Sequence, residues 1–405
     1  MRIEFSPPDI TEAEIQAVVD ALRSGWITTG PRTRQFEQAL AEWCRTPRVV
    51  CLNSATAALE FALRLLGIGP GDEVITSAYT YTASASVIYH VGATPVLADT
   101  APGSYQMDYE ALVALLTPRT KAIIPVDVAG IICDYDALRA VLKGASQRFN
   151  PTRGSLQEAF DCLPIIADAA HSFGATYKGS PSGSVADFSA FSFHAVKNLT
   201  TAEGGALTWR AREGMSDEAL YRQARLLALH GQDKDALAKS KAGAWEYDII
   251  APLYKCNMTD LTASLGLAQL ERYPQMLARR HEILERYREG LAVENLDVLE
   301  HRSDSGVSSG HLCLVRLLGR GEDFRNRFIE AMAAREVACN VHYKPLPLFT
   351  AYRNLGFSIE DYPNAFRQYE NEVTLPLHTK LTDEEVDYVI ASFEESYREC
   401  VKACV

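Results

Sequence analysis

The chain has 405 residues, of which 47% are hydrophobic and 23% are charged, and its formal net charge at pH 7 is −12. This length is enough for two domains around a substantial core, and the composition is ordinary for a globular protein. The negative charge argues against nucleic acid as a partner, because proteins that bind it usually present a basic face.

Two further features bear on where the protein works. No apolar run approaches the roughly 20 residues that a membrane helix needs, and the N-terminal MRIEFSPPDITEAE lacks the apolar region of a signal peptide. The nine cysteines are scattered, without the spacing of a zinc site. We therefore expect a cytoplasmic protein with free thiols, no metal site and no membrane partner.

Short runs rich in β-branched residues alternate with helical patterns over the first two thirds of the chain. Because the runs are not strictly alternating, we expect strands buried on both faces, linked by helices in a mainly parallel sheet. Strands are predicted at 48–52, 73–76, 95–99, 121–126, 164–168, 189–193 and 206–209, and helices at 56–66, 108–116 and 134–142. The fold class is therefore α/β.

The last third of the chain has a different organisation. A helix with few breakers is predicted from 260 to about 292, followed by strands at 312–318 and 338–342 and a terminal amphipathic helix. We expect a large domain at 1–260 with an N-terminal arm, then a connector helix and a smaller α+β domain at 261–405. The segment 143–160 is rich in Gly, Ser, Asn and Pro and is predicted to be a surface loop without a catalytic role.

Two ionisable residues follow neighbouring predicted strands. Asp168 ends the strand at 164–168, and Lys197 comes just beyond the strand at 189–193. Ligands of parallel sheets bind beyond the carboxyl ends of the strands. Pyridoxal 5′-phosphate (PLP) needs an amine for its Schiff base and a carboxylate that keeps its ring nitrogen protonated. On spacing alone, a solvated lysine and a helix-capping aspartate explain the pattern better.

A candidate anion site lies nearer the N-terminus. Ser54, Ala55 and Thr56 open a predicted helix directly after a strand. Free backbone amides and the positive end of the helix dipole favour a phosphate there. The same residue types also serve as ordinary helix caps, and this alternative stays open.

Several long segments resemble, in the expected order, the sugar aminotransferases of the DegT/DnrJ/EryC1/StrS family. They are GWITTGPRTRQFEQ (25–38), CLNSATAALEFAL (51–63), IIADAAHSFGA (165–175), FSFHAVKNLTTAEGGAL (191–207), LYKCNMTDLTASLGLAQL (253–270) and TLPLHTKLTDEEVDYVI (374–390). The resemblance implies the PLP-dependent transferase fold of type I. It also implies that PLP is the cofactor.

The resemblance assigns a role to each candidate residue. Lys197 would carry the cofactor and Asp168 would pair with its ring nitrogen, and both are the expected catalytic residues. His171 would contact the phenolic side of the ring, although a satisfied core histidine is an alternative. Tyr81 would stack on the ring; Tyr79 lies two residues earlier, and only the alignment separates the two.

The remaining assignments concern the phosphate and the substrate. Ser192 would bind the phosphate together with Ser54, Ala55 and Thr56. Asn257 would reach it from a neighbouring subunit, where many relatives carry arginine, which implies a homodimer. The nucleotide-linked sugar would meet Thr28, Thr29, Gly30, His342 and Tyr343.

The expected reaction moves an amino group from glutamate to a keto carbon of a nucleotide-linked deoxy or pentose sugar. The stretch FSFHAVKNLTTAEGG resembles members that aminate C4; members that act at C3 tend to carry Tyr-Pro-Gly before the lysine and end in Asp-Gly-Gly. Two alternatives are a PLP-binding regulator, since fold does not fix function, and a sugar dehydratase. The presence of Lys197 where dehydratases carry histidine argues against the latter.

Overall fold

We describe residues 1–234 and 246–403 of a computed structural model of the chain. The α-helices are α1 Glu12–Arg23, α2 Pro31–Cys44, α3 Ala55–Leu65, α4 Ala83–His90, α5 Tyr109–Leu115, α6 Tyr135–Gly144, α7 Asp217–Ala228, α8 Asp260–Gly290, α9 Glu322–Ala334, α10 Thr350–Asn354, α11 Pro363–Tyr369 and α12 Asp383–Lys402. None of these helices is long and apolar enough to cross a membrane.

The strands are β1 Val49–Leu52, β2 Glu73–Ser77, β3 Thr94–Ala98, β4 Thr120–Ile124, β5 Ile166–Asp168, β6 Thr176–Tyr177, β7 Ser180–Pro181, β8 Phe188–Ser192, β9 Gly205–Trp209, β10 Leu296–Val298, β11 Arg302–Ser303, β12 Gly306–Val307, β13 Cys313–Leu317 and β14 Glu372–Leu375. The predicted strands of the first two thirds of the chain all form, with bounds shifted by one or two residues.

The main sheet runs in the order β3-β2-β4-β5-β8-β9-β1 across the described residues. Strands β3, β2 and β4 are parallel, and parallel bridges between Ile123 and Ile165 and between Val126 and Asp168 join β4 to β5. Strand β8 is parallel to β5, whereas β9 is antiparallel to both β8 and β1. Every strand except β9 therefore runs in one direction, and the carboxyl ends meet along one edge.

Both faces of this sheet are buried, as the sequence predicted. Along β1, Val49 and Cys51 pack into one hydrophobic cluster, while Val50 and Leu52 pack into another. Successive side chains of a strand point to opposite faces. Two helical layers therefore cover the sheet, which explains why its strands read as continuous apolar runs.

Polar caps fix the starts of the predicted helices. Asp108 accepts from the amides of Glu110 and Ala111 at the start of α5, and Asp134 accepts from that of Ala137 at the start of α6. These aspartate oxygens accept hydrogen bonds from backbone amides that have no partner inside the helix.

The long helix α8 begins at the predicted position and connects two cores. Thr259 caps it by accepting from the amide of Thr262. Tyr273 and Met276 belong to a core of the main sheet, whereas Ile283 and Tyr287 belong to the core around β10, β13 and β14. The boundary between 260 and 261 stays a prediction, and the side chains of α8 are shared by both cores.

The strand predicted at 338–342 is wrong. This segment makes only isolated bridges, between Val337 and Ile3 and between Asn340 and Thr374. The strands that pair with β13 are β10 and β14, in the sheet order β10-β13-β14, and the sequence predicted neither of them. At His342, side chains take the place of a neighbouring strand as hydrogen-bond partners of the backbone. The His342 amide donates to Glu372, and the His342 carbonyl accepts from Tyr79.

The segment 143–160 is mostly exposed, but part of it belongs to the core. The Gln157 side chain is fully buried and donates from Nε2 to the Leu66 carbonyl at 2.9 Å. Phe160 packs on Phe188 of β8, beneath the Arg212 guanidinium. The predicted surface loop therefore describes most of the segment, but not Gln157 and Phe160. None of its residues lines the cavity described next.

Candidate active site

A cavity of about 440 Å³ opens at the carboxyl edge of the main sheet. Its walls come from the start of α3, the turn between β2 and α4, the ends of β5 and β8, and the segment around residue 342. It brings together Ser54, Ala55, Thr56, Tyr81, Asp168, His171, Ser192, Lys197, His342 and Tyr343 from the predicted set.

Lys197 lies in a turn after β8, where its amide donates to the His194 carbonyl at 2.9 Å. Strand β8 places Ala190 opposite Asp168, so both ionisable groups follow neighbouring strands at the same edge. Burial lowers the pKa of Lys197 to about 8, although the charge of Asp168 acts in the opposite direction. At pH 7 about one such amine in ten is uncharged, which is the form that acts as a nucleophile.

Asp168 is buried, and a chain of hydroxyls holds its carboxylate. Ser84 Oγ donates to Oδ2 at 2.6 Å, and the Ala170 amide donates to Oδ1 at 3.2 Å. The single hydroxyl proton of Ser84 is donated to Asp168. Thr80 Oγ1 must therefore be the donor in its 2.7 Å hydrogen bond with Ser84. Burial raises the pKa of Asp168, while these hydrogen bonds and the Lys197 charge act to lower it.

The start of α3 forms another part of the cavity wall. Ser54 caps the helix by accepting from the Ala57 amide at 3.1 Å. No described residue accepts from the amides of Ala55 and Thr56. Gly205 lies against this turn, since a Cβ there would lie 2.2 Å from the Ser54 carbonyl carbon. Free amides at a helix N-terminus favour an anion, and Ser192 adds a hydroxyl from the end of β8.

Tyr79 and Tyr81, which the local sequence could not distinguish as the residue stacking on the cofactor, have different surroundings. Tyr81 is 62% exposed, and its ring centroid lies 6.3 Å from that of Tyr343. Tyr79 is fully buried, packs on Tyr105, and donates from its hydroxyl to the His342 carbonyl at 2.8 Å. Only Tyr81 of this pair lines the cavity.

His171 is buried in the cavity wall and neutral. Its Nε2 shares a 2.9 Å hydrogen bond with the Tyr343 hydroxyl, and its ring centroid lies 4.2 Å from that of His311. Burial and the nearby Lys197 charge hold the pKa of His171 well below its usual value. Its Nδ1 is buried without a hydrogen-bond partner in the described part of the chain.

Sequence reasoning missed residues that support the predicted ones. Ser84 occupies the first turn of α4, where a serine looks like any helical serine, and only the fold brings it to Asp168. His311 Nδ1 contacts Asn198 Oδ1 at 2.9 Å and thereby fixes the residue next to Lys197. No local pattern signals either contact, because each joins positions more than 80 residues apart.

The other predicted residues form a separate cluster at the start of α8. The amide of Gly30 donates to Asp260, Thr29 Oγ1 donates to the Met258 carbonyl, and Asn257 Nδ2 donates to Thr29 Oγ1. The Thr28 carbonyl accepts from the Asp260 amide. Thr28, Thr29, Gly30 and Asn257 therefore meet one another but do not line the cavity of their own chain.

The donor set of the cavity fits PLP. The wall contains an amine of lowered pKa, a buried carboxyl held by a hydroxyl, and further hydroxyls and free amides at a helix start. An unpartnered ring nitrogen of His171 remains in the wall. Fold and site together define a PLP-dependent transferase of fold type I, as predicted.

The chain belongs to the DegT/DnrJ/EryC1/StrS aminotransferase family, whose sequence model matches residues 8–394. Spr1654 of Streptococcus pneumoniae, a protein assigned to the sugar aminotransferases, is 54% identical in its PMP form, with a TM-score of 0.96 and full coverage of both chains. Its PLP form gives a TM-score of 0.95 over 99% of this chain and 100% of that chain.

Two other relatives extend the comparison. The spore coat polysaccharide biosynthesis protein SpsC of Bacillus subtilis is 38% identical over 404 residues, covering 99% of this chain and 97% of its own. Helicobacter pylori PseC, an aminotransferase involved in pseudoaminic acid biosynthesis, is 26% identical with a TM-score of 0.85, covering 98% of this chain and 100% of its own. The predicted family is confirmed.

Proposed function

We propose that the protein is a cytoplasmic, homodimeric aminotransferase that moves the amino group of glutamate to C4 of a nucleotide-linked deoxy or pentose keto-sugar. The observation that carries the proposal is the pairing of Lys197 and Asp168 in one cavity, in a chain of the sugar aminotransferase family. The cofactor is PLP, as the 54% identical relative with PLP and PMP forms indicates.

Bound PLP supplies the electron sink that allows an amino group to leave one carbon and join another. Lys197 would hold it and carry a proton at Nζ, which the lowered pKa of the amine favours. Asp168 would hold the ring nitrogen, with its carboxylate oriented by Ser84. Ser54, Ala55, Thr56 and Ser192 would hold the phosphate.

The homodimer is supported by the residues left outside the cavity. Asn257 and Thr29 contact each other beside Leu52, at the carboxyl end of β1, rather than lining the cavity of their own chain. We propose that this cluster completes the cavity of a second copy, with Asn257 toward the phosphate. Thr28, Thr29 and Gly30, together with His342 and Tyr343 in the cavity wall, would then meet the sugar nucleotide.

The C4 position is supported by residues beside the lysine. His194 and Val196, which stand where C3-aminating relatives tend to carry Tyr and Gly, both line the cavity, as does Glu203. These side chains shape the surface on which a sugar ring would lie. A misplacement of about 1 Å can cost on the order of a hundredfold in rate, so they bear directly on which carbon reacts.

The test uses the holoenzyme, glutamate and matched 3-keto and 4-keto sugar nucleotides, with products identified by mass spectrometry. We expect the yellow absorbance of the enzyme to bleach with glutamate and to return with the 4-keto compound, which gains the amine. Efficient amination of the 3-keto compound alone would refute the C4 assignment. An absorbance that never responds to glutamate would favour a regulator, and loss of water without amine exchange would favour a dehydratase.

A further inference from the structure

Glu372 is a fully buried carboxyl group behind the cavity wall. It begins β14, and its Oε2 accepts from the His342 backbone amide at 2.8 Å. Its Oε1 accepts from the Thr374 hydroxyl at 2.6 Å. Glu372 itself does not line the cavity.

Thr374 links Glu372 to the ring of His342. The Thr374 hydroxyl oxygen also lies 2.9 Å from His342 Nδ1. A hydroxyl carries a single proton, so it cannot donate to both neighbours at once. When Glu372 is ionised it can only accept, so Thr374 donates to it and His342 Nδ1–H donates to Thr374. When Glu372 is protonated, it donates to Thr374, and Thr374 donates to a bare Nδ1.

The ring of His342 lies in the cavity wall, and its second nitrogen is Nε2. The ring lines the cavity and stacks on Phe5, with centroids 5.7 Å apart. No described residue forms a hydrogen bond with Nε2. In the neutral ring, one nitrogen carries the proton and the other accepts. Ionised Glu372 therefore leaves Nε2 as an acceptor, and protonated Glu372 makes Nε2–H a donor.

We propose that Glu372 is a positioning residue that sets, through Thr374, whether His342 accepts a hydrogen bond from the substrate or donates one to it. Only the identity of that substrate, a hydroxyl-rich keto-sugar, rests on the proposed function. The arrangement also gives Glu372 a route to solvent. A proton enters at Nε2, the Nδ1 proton passes to Thr374, and the Thr374 proton passes to Glu372, with one proton taken up overall.

The groups around Glu372 determine the pH range in which it gains a proton and the His342 tautomer changes. Burial raises the pKa of Glu372 to about 8, although its hydrogen bonds and the Arg325 guanidinium act to lower it. Burial and the Lys197 charge lower the pKa of His342 to about 3, so the ring stays neutral while its tautomer changes. Other groups on which the Glu372 charge acts are hydroxyls and thiols with raised pKa values, which stay protonated; they are Tyr79, Tyr105, Tyr343, Cys313 and Cys339. Arg316 is the cross-strand partner of Glu372 in the β13–β14 pair.

The tautomer can be read by NMR of protein labelled with ¹⁵N-histidine, without cofactor or substrate, and the His342 signals can be assigned with His342→Gln. In the parent protein we expect protonated Nε2 below the pKa of Glu372 and protonated Nδ1 above it. Glu372→Gln should keep Nε2 protonated at every pH, because its amide oxygen accepts from the His342 amide while its NH₂ donates to Thr374.

Two comparisons keep the result decisive. Glu370→Gln, the same substitution two residues earlier, should leave the pH-dependent change intact. Thr374→Val should abolish the change, whereas Thr374→Ser, which keeps the hydroxyl, should retain it. A His342 ring with the same tautomer across the pH range in the parent protein would overturn the proposal. So would a pH-dependent change that survives in Thr374→Val. Neither reading depends on turnover, so a failure here is distinct from failure of the proposed function.

Discussion

Replacing Ser84 by alanine removes the hydroxyl that orients Asp168, the proposed partner of the PLP ring nitrogen. In the parent protein, Ser84 Oγ donates to Asp168 Oδ2 at 2.6 Å and accepts from Thr80. A hydrogen bond to a charged group contributes about 1.5–3 kcal/mol. If all of it favours the ionised carboxylate during amino transfer, the rate should fall about 10- to 160-fold in Ser84→Ala.

The loss should depend on pH with a definite sign. Burial already raises the pKa of Asp168, and Ser84 opposes that rise by favouring the ionised form. Without the hydroxyl, the pKa rises further, so the carboxyl stays protonated to higher pH. The acid limb of the pH profile should therefore move to higher pH, and the deficit should be largest on the acid side.

The assay is single-turnover bleaching of the yellow holoenzyme by glutamate, followed by stopped-flow absorbance across a pH series. Ser86→Ala is the matched control, because Ser86 lies two residues later in the same helix. Among the described residues, its hydroxyl forms a hydrogen bond only with the Ala83 carbonyl, at 3.4 Å. It should match the parent. If Ser84→Ala bleached within twofold of the parent at every pH, with its acid limb unmoved, Ser84 would not support the carboxylate.

Three further substitutions test the rest of the site. Lys197→Ala should abolish turnover while leaving the thermal midpoint unchanged, and parent-like turnover would remove the mechanism altogether. Asp168→Asn should still bind PLP but slow amino transfer by orders of magnitude, and a loss of only a few-fold would show that Asp168 does not serve the ring nitrogen. Gly205→Ala should lower stability by about 1–3 kcal/mol and weaken cofactor binding, because its Cβ would overlap the Ser54 carbonyl carbon. Gly144→Ala, with no atom within 4 Å of the new Cβ, should do neither when both are followed by thermal unfolding and cofactor titration.

The main sheet was predictable because its information is local. Apolar runs such as 121–126 signal strands buried on both faces, and Asp108 and Asp134 cap helices within three residues of themselves. The positions of Asp168 and Lys197 at the ligand-binding edge were predictable for the same reason, since Asp168 ends one strand and Lys197 follows its neighbour. Their roles, in contrast, came from the family resemblance and stay predictions. The resemblance then selected Tyr81 over Tyr79, a choice that strand periodicity alone leaves open.

The errors fall where long-range polar contacts determine the structure. The segment 338–342 reads as a strand, but Glu372 and Tyr79 take the backbone groups of His342 that a ladder would otherwise use. Gln157 reads as a loop residue, yet its amide satisfies the Leu66 carbonyl in the core. In each case a side chain remote in sequence replaces a backbone partner, and no local pattern records the replacement.

These same contacts hold the segment at residues 342–343, which belongs to no strand, in the wall of the cavity. The hydroxyl of Tyr79, from the main sheet, fixes the His342 carbonyl, and His171 fixes the Tyr343 hydroxyl from the same side. Glu372, from β14 in the second sheet (β10-β13-β14), accepts a hydrogen bond from the His342 amide. The 342–343 segment is therefore anchored to both sheets at once, at the edge where Lys197 and Asp168 lie. A relative shift of the two sheets would have to break at least one of these partly buried hydrogen bonds. Each group then left buried without a partner would cost about 1–3 kcal/mol. The long-range hydrogen bonds that made the strand prediction wrong are thus the ones that hold this part of the cavity wall in place relative to Lys197 and Asp168.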